Sequence, residues 1–224
     1  MDGVGGGAGR DSTFSRIIAG ELPAVWESND PDLPVVCFRN RLRWERVMLL
    51  VVPREYMTQE ELWSGDVLVE AMRLAVEMGE KHCPEGFRVL SNFGRAAHQS
   101  QLHAHVHVIS GVAANLVNAA AEDEWHEQGA VRSQQQRVAE VPHADLYSDD
   151  LAVSQYEFLT GEGVLLAAQA AIAHAKSLGT GGFRLAANYA VTPSPLEGEG
   201  KGEGLRGGRP GLFMLGGGQL QLYV

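Results

Sequence analysis

Three histidines, His103, His105 and His107, occupy alternate positions in the stretch QSQLHAHVHVISG, residues 99 to 111, with Ala104, Val106 and Val108 in the gaps. In an extended strand successive side chains point to opposite faces, so the three imidazoles share one face at intervals of about 6.6 Å. Imidazole titrates near neutrality, which lets one neutral ring attack as a nucleophile while a protonated neighbour serves as acid. Three rings on one face can divide attack, proton donation and charge neutralisation at a phosphate. A metal site and the polar side of an ordinary half-buried strand are the competing readings. A metal site would use two alternate histidines with a further His or carboxylate, whereas no Asp or Glu lies between Gly86 and Gly111. The residues just upstream add uncharged donors suited to phosphate oxygens, Asn92, Gln99 and Ser100, and Gly94 lets backbone come close.

The elements that must position these groups form an α+β pattern. DSTFSRIIAGELPA offers Ser12 or Thr13 as an N-cap, Phe14, Ile17 and Ile18 on one helical face, and Gly20 as a stop. PVVCF and VMLLVVP read as buried strands, the second ending at Pro53. Apolar positions at Leu68, Ala71, Met72, Ala75 and Val76 have helical spacing, with Ser64 or Asp66 to cap the start. FRVLSN and HAHVHVI follow as strands joined by the loop FGRAAHQSQL. Phe14, Trp26, Phe38 and Phe87 read as core aromatics, Phe38 being the one that adjoins a polar position, Asn40.

Composition narrows the function classes. A chain of 224 residues with 45% hydrophobic side chains can bury one core or two small ones. A formal net charge of −10 argues against a nucleic-acid surface, which needs a basic patch. Nowhere do 18 apolar residues run together, so no transmembrane helix is expected. The opening MDGVGGGAGR lacks the apolar region of a secretory signal and reads as a disordered leader over 1–11. Cys37 and Cys83 lack ligand-like spacing and suit a reduced cytoplasm.

The histidine stretch, the preceding NFG and HQS, and the opening TFSRIIAGELPA together resemble the histidine-triad (HIT) family over about residues 12 to 112. The resemblance implies an antiparallel sheet with flanking helices, commonly dimerised, and a nucleotide hydrolase without cofactor or metal. It implies that His105 attacks the α-phosphorus to give a covalent nucleotidyl-histidine, that His107 contacts the phosphate and leaving-group oxygen, and that His103 supports both. Ser100, Gln99 and Asn92 would contact the phosphate or the leaving group. Asn40 stands where the family has an Asp that binds ribose hydroxyls, His98 where it has a glycine, and Gln101 where it has an apolar residue. The retained His107 separates the chain from the uridylyltransferase branch, which favours hydrolysis of a nucleoside 5'-phosphoramidate or dinucleoside polyphosphate, with a purine expected. A non-catalytic nucleotide-binding or interaction protein of the same fold is the alternative.

The second half echoes the first. LPAVWESND from Leu22 is answered by VPHADLYSDD from Val141, FRVLSNF from Phe87 by FRLAANY from Phe183, and HAHVHV from His103 by QLQLYV from Gln219. GVLLAAQAAIAHAKSLG matches the long helix, and a Gly/Glu/Pro-rich insertion covers 193–211. The expected organisation is a catalytic unit over 12–112, a linker or helical region over 113–140, and a degenerate HIT-like half over 141–224. In that half the triad positions would be Gln219, Gln221 and Tyr223, none able to act as an imidazole nucleophile. Such a half is expected to take the place of a dimer partner, an intramolecular pseudo-dimer that still allows a homodimer.

Overall fold

A computed structural model describes residues 12–42, 45–110, 136–137, 154–177, 179, 181–191, 206–207 and 210–216. The expected leader over 1–11 and the terminal 217–224 lie outside the described residues, and of the region 113–140 the structure describes Gln136 and Arg137.

Helix α1, Thr13–Ile18, starts where Ser12 Oγ accepts from the Ser15 N–H at 3.0 Å. Two strands, β1 (Trp26–Ser28) and β2 (Val35–Arg39), precede β3 (Met48–Pro53). A short helix α2, Gln59–Ser64, then leads into α3, Val67–His82. Helical spacing from Leu68 predicts α3 and not α2, and Ser64, a candidate cap for α3, is the last residue of α2. Helix α2 starts at a reciprocal cap, in which the Glu61 N–H donates to Thr58 Oγ1 at 3.2 Å and the Thr58 N–H donates to Glu61 Oε2 at 2.7 Å, and it ends at Gly65, whose extended backbone separates it from α3. Asp66 precedes α3 without a side-chain capping bond. Strand β4 (Phe87–Phe93), a short 3₁₀ turn (Arg95–Ala97) and β5 (Val106–Ser110) complete the first half. Beyond β6 (Gln136–Arg137) come α4 (Gln155–Thr160), α5 (Glu162–Ser177), β7 (Phe183–Tyr189) and β8 (Phe213–Gly216).

All strands join one antiparallel sheet in the order β1-β2-β3-β5-β4-β7-β8-β6. Its centre is the ladder between β4 and β7, with Phe87 opposite Tyr189, Leu90 opposite Ala186 and Phe93 opposite Phe183. The main core fills one face: Val89, Val106, Val108, Leu185 and Ala187 from the strands meet Leu62, Trp63, Leu68, Met72, Phe158 and Val164 from the helices. On the opposite face α1 lays Phe14 and Ile17 over Val36, Phe38, Leu50 and Val52. That face also carries Arg88, Leu90, Asn92, His107, Arg184, Ala186 and Asn188, the alternate residues of β4, β5 and β7.

Local details recur on the two sides of the central ladder. Phe87 stacks on Tyr189 at 4.7 Å, and Phe183 on Phe93 at 4.4 Å. The capping pair of α2 returns in α4 as Ser154 and Glu157. Strand β8 meets β7 with Phe213 opposite Ala186, as His107 meets Leu90 across β5 and β4. The strand in that place is therefore Phe213–Gly216 rather than the expected 219–224, and Phe213 stands where the first half has His107.

The two halves also touch through their turns. A Cβ at Gly94, where φ is +79°, would meet the Gly181 carbonyl oxygen at 3.0 Å, and one at Gly182 would meet the Ala97 nitrogen at 2.8 Å and the Phe93 oxygen at 2.9 Å. Those partners are backbone and cannot swing away. Gly182→Ala is therefore expected to destabilise the protein by about 1–3 kcal/mol, read as a lower denaturation midpoint; an unchanged midpoint would mean that the turns are not packed together.

Candidate active site

The ladder of β5 begins at Val106, so His103 and His105 precede it and only His107 lies within the strand. The expected strand over 103–109 is shortened because other groups take its backbone bonds. Gln59, at the first position of α2, accepts from the His105 N–H at 3.0 Å and donates Nε2–H to the His105 oxygen at 2.9 Å. Ser91 Oγ donates to that same oxygen at 2.7 Å, and the Ala104 N–H donates to the Met57 oxygen at 2.8 Å. His105 is thus held by its own peptide groups against a helix end and the neighbouring strand.

Two of the rings, His103 and His105, have their tautomers assigned by their partners. His103 is fully buried, and its Nε2 lies 2.9 Å from the Pro53 oxygen, which can only accept, so Nε2 carries the proton. Its Nδ1 then accepts from a hydroxyl, with Ser12 Oγ at 3.0 Å and Ser15 Oγ at 3.3 Å. The serine that starts α1 therefore also orients the first histidine. His105 donates Nδ1–H to the His103 oxygen at 2.9 Å, which leaves the Nε2 lone pair for a substrate. The His105 and His107 rings meet edge to face at 4.8 Å. Both nitrogens of His107 are covered and have no hydrogen-bond partner among the described residues.

Burial depresses all three imidazoles. It lowers His103, although the carbonyls of Pro53 and Glu55 oppose the shift. His105 falls to about 4, chiefly through burial, with the His103 carbonyl opposing and the His103 charge adding. His107 lies well below the ordinary range through burial first, then the nearby charges of His105 and Arg184. At neutral pH the site holds neutral imidazoles, and the unprotonated Nε2 of His105 is a competent nucleophile.

These groups open on a cavity of about 750 Å³ between α1, β2 and the open sheet face. Phe14, Ile17, Phe38, Leu42 and Ile109 form an apolar side; Asn40, Asn92, Ser100, His105, His107 and Arg184 supply the polar side. Phe38 packs edge to face on Phe14 and Trp26. Asn40 Oδ1 accepts from the Leu42 N–H at 3.0 Å, so its NH2 is the group left to a ligand. Asn92 Oδ1 accepts from Arg184 Nε at 2.6 Å. Gln99 binds within the loop instead, taking the Gly94 N–H at 2.8 Å and donating to the Gln101 oxygen at 3.0 Å. Among the described residues no group of three His, Cys, Asp or Glu side chains is arranged to hold a metal ion.

Three participants escaped the sequence reading: Gln59, Ser12 as a partner of His103, and Arg184. Only Arg184 left a usable signal, an arginine on the alternate face of a strand otherwise made of apolar and small residues.

A HIT domain model matches residues 32–114. An uncharacterised HIT-like protein of Synechococcus elongatus is 30% identical over 108 residues, covering 45% of this chain and 90% of its own length. The adenosine 5'-monophosphoramidase of Schizosaccharomyces pombe is 28% identical over 96 residues, covering 43% of this chain and 71% of its own. A solved HIT family hydrolase from Clostridium thermocellum aligns with a TM-score of 0.42 at 25% identity, over 46% of this chain and 93% of its own. A three-histidine site on an antiparallel sheet, matched in sequence over that same region, defines the class. The chain belongs to the HIT family.

The low His105 value carries a stability consequence. Folding lowers this pKa from an ordinary 6.5 to about 4, so below pH 6.5 the unfolded chain takes the proton first. The stabilisation is complete above about pH 6.5 and is lost as pH falls towards 4. His105→Asn is expected to flatten the pH dependence of stability in that window by up to about 3 kcal/mol, measured by denaturant titration at several pH values. A slope equal to wild type would place the His105 pKa near its ordinary value.

Proposed function

We propose that the chain hydrolyses a nucleotide at its α-phosphate, with a nucleoside 5'-phosphoramidate or a dinucleoside polyphosphate as substrate. The observation that carries this reading is the His105 Nδ1–H bond to the His103 oxygen, which turns an unprotonated Nε2 to the ligand in a donor-lined cavity. In the first step Nε2 forms a bond to the α-phosphorus as the bond to the leaving group breaks, and the leaving group takes a proton from solvent. Water then attacks the phosphorus as the bond to Nε2 breaks, and its proton returns to solvent with His105 restored. His107, 4.8 Å from His105 between ring centres, contacts the phosphate and the departing atom. Ser100 and the NH2 of Asn92 hold non-bridging oxygens, with Gln99 and Gly94 shaping the loop that presents them. The apolar side receives the base, with a purine expected, and Asn40 meets the ribose. The phosphoramidase relative supports the phosphoramidate class.

The second half, in this reading, replaces a dimer partner. Its support is the ladder between β4 and β7, in which matching phenylalanine and tyrosine stacks recur on each side. Tethering raises the effective concentration of such a partner to roughly millimolar. Two free, buried cysteines, Cys37 and Cys83, support a reducing, cytoplasmic setting, and among the described residues no helix is long and apolar enough to cross a membrane.

His105→Ala is expected to lower turnover of adenosine 5'-phosphoramidate on the order of a thousandfold or more with the fold retained, while acid-quenched wild-type protein carries a nucleotidyl adduct by mass spectrometry. Turnover within a few-fold of wild type would overturn the covalent mechanism. Binding of AMP without turnover or adduct in the wild type would favour a nucleotide-binding protein. Light scattering is expected to give the mass of one chain; a dimer built through the first halves would refute the pseudo-dimer.

A further inference from the structure

Arg184 belongs to β7, beyond the region matched to the HIT domain at 32–114, yet it lines the same cavity as His105 and His107. It is only 4% exposed, and a cation buried to that degree is held by specific partners. The register explains its reach. Arg184 sits directly opposite Asn92 in the central ladder, with β4 alone between its strand and that of His107, on the sheet face that opens to the cavity. Its Nε donates to Asn92 Oδ1 at 2.6 Å.

This contact sets which end of the Asn92 carboxamide a ligand can meet. With the oxygen held by a guanidinium, the NH2 is the group left for an anionic oxygen; a reversed carboxamide would present an acceptor and repel it. We propose that Arg184, supplied by the second half of the chain, is a positioning residue of the active site: it fixes Asn92 as a donor to the α-phosphate and sets a positive charge beside His107. The site of the first half is then incomplete without the second. The same charge, after burial and His105, helps hold His107 unprotonated.

The fold contains its own control. Arg88 Nε donates to Asn188 Oδ1 at 2.8 Å, the same pair on the other side of the central ladder, and Arg88 is 6% exposed. On that side Phe213 replaces the third histidine. A role confined to holding the sheet together applies to both arginines alike, whereas a role in the reaction belongs to Arg184.

The proposal rests on the nucleotide-hydrolase reading, so its test separates the two. Arg184→Met, Arg184→Lys and Arg88→Met are made in the full chain and compared for denaturation midpoint, AMP affinity by calorimetry, and kcat and KM on adenosine 5'-phosphoramidate. Arg184→Met is expected to lower kcat/KM by about ten- to a hundredfold, mostly in kcat, with partial rescue by added guanidinium. Arg88→Met should lower the midpoint by a similar amount and leave kcat/KM within about twofold, as Arg88 is not among the residues that line the cavity. In an Asn92→Ala background Arg184→Met should cost little more, because the two act as one unit. Equal kinetic effects of the two arginine variants, or full additivity with Asn92→Ala, would overturn the proposal. Should Arg184→Met fail to fold, Arg184→Lys is read in the same way. If wild type shows no turnover, the hydrolase reading fails and AMP affinity decides: a loss confined to the Arg184 variants supports the proposal, and an equal or absent loss overturns it.

Discussion

The seven-residue pairing of β4 with β7 brings the two halves into one sheet, and the parity of that ladder decides what faces the cavity. With Val89 and Leu185 turned to the helices, Asn92 and Arg184 must turn the other way. A slip of β7 by one residue would send Arg184 into the core and Phe183 out of it. The slip is opposed by the stacks of Phe87 on Tyr189 and Phe93 on Phe183, which fix both ends of the ladder. The chemistry on the open face is therefore specified by packing on the closed one.

The same burial that orders the histidines sets their protonation. Desolvation disfavours imidazolium, so the three rings stay neutral without an acidic neighbour to hold them otherwise. Backbone carbonyls do the orienting: Pro53 for His103 and His103 for His105. Carbonyls fix a tautomer without adding a formal charge, which matters at a site meant for an anion. A similar clamp stands in the second half without imidazoles. Gln155 there bonds the Asn188 and Gly211 oxygens and the Gly211 N–H, as Gln59 bonds His105, so the peptide grip persists while Gly211 and Phe213 occupy the imidazole positions.

Much of this was legible in the sequence because it depends on short-range pattern. Alternation exposed the histidine face, and helical spacing exposed α3. Ser12 was legible as a cap but not as a partner of His103, because that contact joins residues far apart in the chain. The start of β5 was misread for a related reason: period two says that a segment is extended, not which neighbours take its hydrogen bonds, and here Gln59 takes them before the ladder begins. Gln99 shows the limit from the other side. Its amide suited a phosphate, but both of its ends close the loop that carries it. The strand Phe183–Tyr189 was visible through its likeness to FRVLSNF, whereas β8 was not, since its register follows from pairing with β7 rather than from any polar signature.

The loop from Gly94 to Ser100 ties these levels together. His98, at φ +61°, adopts the left-handed conformation that favours glycine, at a cost of about 1 kcal/mol or more. That cost is borne because the loop is held at both ends: Gly94 is pinned by Gln99 from within and pressed by Gly181 and Gly182 of the second half from outside. A loop fixed in this way holds Ser100 among the residues that line the cavity. The second half thereby acts on the first at two separate points, through the backbone of its turn at this loop and through the Arg184 side chain at Asn92. Both depend on the one ladder that sets β7 beside β4.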